Sequence, residues 1–149
     1  MKITYRKANV NDVEKVFELN KDMIIKYESD SNIEFKKVLK WIRNKIEINI
    51  ENYICIYGDE NKVGYYYLHE EDGKLEIDDL YIFEEFQGQG IGSTVLDLVD
   101  LVAKEQGKEV FLYVFAKNQG AIRLYLKKGF EIVENIRDLR YVMNKKTCK

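Results

Sequence analysis

The chain has 149 residues, 46% of them hydrophobic, which is enough for one core and short for two. A net charge of −2 argues against general nucleic-acid binding, and no apolar run is long enough to span a membrane. Two cysteines, Cys55 in a strand pattern and Cys148 in the tail, give no disulfide framework and fit a reducing cytoplasm.

The start, Met1 to Arg6, reads as a charged strand and not as a signal peptide, and the alternation of Lys2 to Lys7 predicts the first strand. Asn11 is the expected N-cap of a first helix, with Glu14 as its capping-box partner. Val16, Leu19 and Met23 follow at helical spacing, and the polar stretch Glu28 to Asn32 breaks that helix. A second helix runs from about Glu34, with Phe35, Val38, Leu39, Ile42 and Ile46 on one stripe. Tyr53 to Tyr57, Val63 to Leu68 and Leu75 to Phe83 read as three strands of an antiparallel meander. Gly58 to Asn61 and Asp72-Gly73 supply its turns, as Gly, Asn and Asp must in a chain without proline. A helix then carries Val95, Leu98, Val99 and Val102 and stops at Gly107. Val110 to Phe115 is a short strand, Gly120 to Lys128 a helix closed by Gly129, and Glu131 to Val133 and Leu139 to Met143 are final strands. One α+β domain over residues 1–149 is the simplest account.

Two features lie near the middle of the chain. In the third meander strand, Leu75 and Ile77 are apolar at odd positions but Leu80 and Ile82 at even ones. A one-residue bulge near Asp78-Asp79 reconciles the two halves and would splay the strand from its neighbour. Just downstream, Phe86-Gln87-Gly88-Gln89-Gly90-Ile91-Gly92-Ser93 places three glycines immediately before a helix. Such a turn exposes backbone N–H groups beside the positive end of a helix dipole, a site for a phosphate-like anion. It is not a nucleoside-triphosphate loop, because no lysine follows the last glycine before Lys104. Nor is it a dinucleotide fingerprint, because the third glycine position is Ser93 and the loop follows a meander. A purely structural turn is the plain alternative.

Gln87, Gly90 and Gly92 fill the defined places of the pyrophosphate-binding signature of the GNAT acetyltransferases, Gln/Arg-x-x-Gly-x-Gly/Ala, which this stretch resembles. Asn118, Ala121, Tyr125, Gly129 and Phe130 resemble that family's second block, and Arg140 to Lys145 its usual terminal strand. The likeness spans essentially the whole chain. It implies a mixed, mostly antiparallel central sheet splayed into a V and flanked by helices, with acetyl-CoA as co-substrate and no metal. It implies that the pyrophosphate sits on the amides of Gln87, Gly88, Gln89, Gly90, Ile91, Gly92 and Ser93. It also implies that backbone at Leu80, Tyr81 and Ile82 pairs with the pantetheine, beside Asn118, Ala121 and Tyr125. Many relatives carry Lys or Arg inside the loop where this chain has Gln89, so binding would lean on backbone dipoles. Lys117, Arg123 and Lys127 are candidates for the 3′-phosphate, though a solvated helix face explains them equally well.

Acetyl transfer to an amine needs a base for the ammonium, donors for the oxyanion, and an acid or hydrogen bond for the leaving thiolate. Tyr125 is the candidate acid and Glu76 the candidate base, with Asp78 or Asp79 as substitutes if the bulge re-aims them. The backbone N–H of Ile82 is the oxyanion donor. His69, the only histidine, is expected at the surface, and a lone His with two distant Cys lacks metal-ligand spacing. Leu75 to Ala103 holds seven carboxylates and no Lys or Arg, which would favour a cationic partner. The reading is a cytoplasmic acetyl-CoA-dependent N-acetyltransferase acting on a primary amine, with a homodimer left open. The alternative is a non-catalytic acyl-CoA sensor or interaction module of the same fold. Small polyamine, aminoglycoside, amino-acid and protein acceptors stay unseparated.

Overall fold

The computed structural model describes residues 1–28 and 34–147. Most of the loop expected at Glu28 to Asn32, and Cys148, lie outside the described residues. The elements in chain order are β1 (Ile3–Lys7), α1 (Val13–Tyr27), α2 (Phe35–Asn49), β2 (Ile54–Gly58), β3 (Asn61–Glu71) and β4 (Lys74–Ile82). Then come α3 (Ile91–Gln106), β5 (Val110–Phe115), α4 (Gln119–Lys127), β6 (Glu131–Ile136) and β7 (Arg140–Lys145). One seven-stranded sheet runs in the order β1-β2-β3-β4-β5-β7-β6. Every pairing is antiparallel except β4 with β5. No helix among the described residues is long and apolar enough to cross a membrane.

The expected strands and helices are present, with the first helix corrected at its start. Asn9, not Asn11, is the cap: its side chain accepts from the Asn11 N–H, and the Asp12 carboxylate accepts from the Asn9 N–H. That box opens a short 3₁₀ turn, Val10 to Asp12, ahead of α1. Asp12 also accepts from Lys62 Nζ at 2.6 Å and Tyr65 Oη at 2.8 Å, so it ties the β1–α1 corner to β3. The last two strands run further than the apolar pattern alone indicated, because both lie near the sheet edge and carry polar residues.

Two cores flank the sheet. One holds Val95, Leu96 and Val99 of α3 and Ile122 and Tyr125 of α4, against Leu75, Ile77, Leu112 and Met143. The other holds Val13 and Val16 of α1 and Ile46 of α2, against Tyr53, Cys55, Tyr65 and Tyr67. The bulge inferred from the phase change is real. Tyr67 pairs with Asp79 and Leu68 with Ile77, which leaves Asp78 as the extra residue. It returns Leu80 and Ile82 to the core that Leu75 and Ile77 occupy.

β4 and β5 pair only at Leu75–Val110, Glu76–Phe111 and Ile77–Leu112. Beyond the bulge they diverge, and the sheet opens as a V. Gly64 on β3 helps hold β4 in this course, since a Cβ there would fall 2.0 Å from the Tyr81 carbonyl oxygen.

Candidate active site

The V contains a cavity of about 270 Å³. Its walls include Asp78, Asp79, Leu80 and Tyr81 of β4, Leu112 and Val114 of β5, and Asn118, Ala121 and Tyr125 at α4. Helices α1 and α2 close it from the other face with Asn20, Met23, Trp41 and Lys45, and Arg140 and Glu28 stand at its edge. Because the sheet is open here, a phenol from one core and a carboxylate from the other share a single cavity.

The carboxylate is Asp79. It is 8% exposed and accepts hydrogen bonds from Tyr53 Oη at 2.5 Å and Tyr81 Oη at 3.0 Å. Burial, reinforced by neighbouring Asp78, pushes its carboxyl above the usual range despite those two donors. The phenol is Tyr125, on the buried face of α4 above Phe130 at 5.7 Å between ring centres. Burial, with the charge of Asp79 second, pushes its hydroxyl up to about 12. A phenol held neutral in this way can donate a proton or a hydrogen bond at neutral pH. Asn118 caps α4 by accepting from the Ala121 N–H at 3.3 Å, which fixes the turn that carries Tyr125.

Glu76 does not line the cavity. It sits where β4 and β5 are still paired, before the bulge, with its Oε1 3.5 Å from His69 Nε2. Burial raises its carboxyl, with Asp78 the second cause. His69 is half-buried, its ring tilted against that of Tyr67 at 4.8 Å between centres, with Nε2 also 3.5 Å from Asp78 Oδ2. Ligand atoms of His69, Glu71 and Glu76 lie within 4.8 Å of one another, a grouping that spacing in the sequence did not show. Asp78 is bound to Lys45 Nζ at 2.6 Å. Lys45, Tyr53 and Trp41 were not singled out from the sequence. Trp41 and Lys45 lie off the apolar stripe read for α2, and nothing in the pattern showed that α2 and the residue before β2 would meet β4.

The glycine stretch forms an exposed turn. Gly88 and Gly90 have φ of +78° and +82°, a left-handed conformation that L side chains rarely adopt. Gly90 is the N-cap of α3, no side chain caps the helix, and its first turn holds no acidic residue. The opening N–H groups of α3 therefore face outward without a protein acceptor among the described residues, a ready anion site. Ile91 is buried in the core below, while Gly92 and Ser93 are half-buried in the first turn. Gln87 turns back and donates from Nε2 to the Ile82 carbonyl at 2.9 Å. The Phe83 N–H bonds to Val63 on β3, so by alternation the N–H and C=O of Ile82 and Leu80 face the opening of the V. β4 thus presents there an edge without a strand partner, its Ile82 carbonyl taken by the Gln87 side chain. Lys117, Arg123 and Lys127 are all exposed.

The acidic stretch is less of a cationic lure than its sequence suggested. Lysines from elsewhere in the chain answer much of it: Lys45 on Asp78, Lys128 on Asp97, and Lys145 with Lys104 on Asp100.

Comparison with known proteins decides the family, since the model described as acetyltransferase (GNAT) family matches residues 15–130. The chain belongs to the acetyltransferase (GNAT) family. It is thereby an acetyltransferase, and acetyl-CoA as co-substrate fits that assignment. The GNAT chain is 26% identical to the acetyltransferase PseH of Campylobacter jejuni, over 97% of its own length and 94% of PseH. It is 31% identical over 77 residues to a spermine/spermidine N(1)-acetyltransferase of Bacillus subtilis, which is 50% of this chain and 45% of that enzyme. Matches to further N-acetyltransferases likewise span only 28% to 50% of those proteins. In fold it resembles the PaiA N-acetyltransferase of Thermoplasma acidophilum, solved in complex with coenzyme A, at a TM-score of 0.74 and 24% identity over 98% of this chain and 99% of that one.

Proposed function

We propose that the chain transfers the acetyl group of acetyl-CoA to a primary amine inside the V. The observation that carries this reading is the sharing of one cavity by Asp79 and Tyr125, next to a β4 edge without a strand partner and a capless α3 N-terminus. In this reading the pyrophosphate rests on the amides from Gln87 to Ser93. The pantetheine lies along Leu80, Tyr81 and Ile82 as an added strand, with Asn118 and Ala121 on its other side. The small Ala121 side chain leaves room for it.

Asp79 takes the base role expected of Glu76, because Asp79 lines the cavity and Glu76 does not. The amine loses a proton to Asp79, and its nitrogen forms a bond to the thioester carbon. The carbonyl oxygen gains charge and is met by the backbone N–H of Ile82. The C–S bond then breaks, Tyr125 gives the departing sulfur a proton or a hydrogen bond, and the second proton of the acylated nitrogen goes to the phenolate or thiolate so formed. A buried carboxyl of raised proton affinity suits the first step, and a neutral phenol suits the last.

Thiol release from acetyl-CoA across a panel of amines tests the reading. Turnover that falls on the order of a hundredfold in Tyr125→Phe is expected, in line with the usual worth of general acid catalysis. Tight acetyl-CoA binding without turnover of any amine would instead fit the non-catalytic sensor.

A further inference from the structure

Among the described residues, three carboxylates line the cavity: Glu28, Asp78 and Asp79. Glu28 is ion-paired with Arg140 at 3.2 Å, and Asp78 with Lys45 at 2.6 Å. Asp79 is held by two phenol hydroxyls, and among the described residues no cation lies within ion-pair distance of it. The cavity therefore presents one carboxylate without a cationic partner, and it lies deep, on the side of Tyr125. A single ammonium is answered there.

A second ammonium on the same acceptor would lie toward the mouth. The wall there includes Met23, Val38, Trp41 and Ile42, and the charges beside it among the described residues are the ion pairs Lys45–Asp78 and Arg140–Glu28. Both cations are held over aromatic faces, Lys45 5.7 Å from the Trp41 ring and Arg140 5.5 Å from that of Phe115. Another cationic group would lose its hydration against this wall and find both carboxylates there already paired. An apolar group gains from the same surroundings. Trp41, 64% exposed at the mouth, offers a ring face that an apolar body would cover.

Given acetyl transfer in this cavity, we infer that the acceptor is a primary amine with one positive charge on an apolar body, aliphatic or aromatic, and not a polyamine. Such an amine is either a free small molecule or the N-terminus of a chain with an apolar first residue.

The test is thiol release by the full chain with acetyl-CoA and matched acceptors. These are 2-phenylethylamine, hexylamine and a short peptide beginning Met-Leu, against spermidine and 1,4-diaminobutane. The monoamines are expected to exceed spermidine in kcat/KM by about tenfold or more, the scale of discrimination a hydrophobic pocket reaches. Trp41→Ala, at an exposed site, is expected to raise KM for the monoamines and narrow their lead over spermidine. The peptide outrunning the free monoamines assigns the apolar body to a chain terminus, and the reverse assigns it to a small molecule; either supports the inference. A preference for spermidine, or a ratio unmoved by Trp41→Ala, overturns it and leaves acetyl transfer standing. Acetyl-CoA binding without turnover of any amine overturns the transfer reading, and the inference falls with it.

Discussion

At the scale of single residues, the proposed site turns on a carboxyl and a phenol whose proton affinities are both raised chiefly by burial. If Asp79 is the base, the acidic limb of kcat against pH lies above the ordinary carboxylate region near 3.9 and disappears in Asp79→Asn. Stability moves the opposite way. Between the ordinary and the raised value the folded protein binds more protons at Asp79 than the unfolded chain, so stability falls as pH rises through that window. Asp79→Asn is expected to remove this fall, measured as denaturant midpoints from pH 4 upward. Asp12 has the reverse sign. Its own burial works against it, but the bonds from Lys62, the Asn9 N–H and Tyr65 win and hold its carboxyl below the usual range. Its contribution is present above the unfolded value and lost as pH falls through the lower folded one. Asp12→Asn is expected to cost about 1–3 kcal/mol at neutral pH, because buried donors lose a charged acceptor. That cost should shrink below about pH 4, where Asp12 of the unfolded chain begins to protonate. The sequence named Asp79 only as a substitute base, since which of three carboxylates enters the cleft depends on the bulge.

At the scale of elements, the most legible features were those set by local chemistry. Asp72-Gly73 and Gly107 take the positive φ their residue types favour. The phase change between Ile77 and Leu80 exposed the bulge because a strand cannot switch faces without an inserted residue. The misplaced cap at Asn11 had a local cause too. Asn9 and Asn11 both precede the helix, and only the buried bond network of Asp12 selects the first. The glycine turn carries an element-scale prediction. An alanine at Gly90, where φ is +82° and nothing lies within 4 Å of the added Cβ, strains the backbone without a clash. Left-handed backbone costs about 1–2 kcal/mol for an L residue, so Gly90→Ala shifts the turn away from its anion-cradling form. The expected result is a KM for acetyl-CoA raised several-fold to tenfold, with the KM for the amine unchanged.

At the scale of the whole molecule, the sheet is two antiparallel halves joined by three parallel residue pairs between β4 and β5. Contacts between elements far apart in the chain were illegible from the sequence. Lys45 of α2 reaches Asp78 of β4 across more than thirty residues. Sequence periodicity reports which face of an element is apolar, not which element lies opposite it. The same arrangement makes the fold's cohesion depend on what fills the V. Past the bulge, the β4 edge at Leu80 and Ile82 has no strand partner on the side of β5, and Leu112, Val114 and Tyr125 line the other wall. A pantetheine lying there would pair with β4 and touch β5 and α4 at once. Its binding energy then acts on the folded state alone, since the unfolded chain has no V. Acetyl-CoA at a hundredfold over its Kd is expected to stabilise the fold by about 2.7 kcal/mol, read as a shift in the denaturant midpoint. The stabilisation should protect both halves together, so amides of β4 and of β5 should slow in hydrogen exchange alike. Protection confined to the glycine turn would show the ligand held by its phosphates alone, with the V left open.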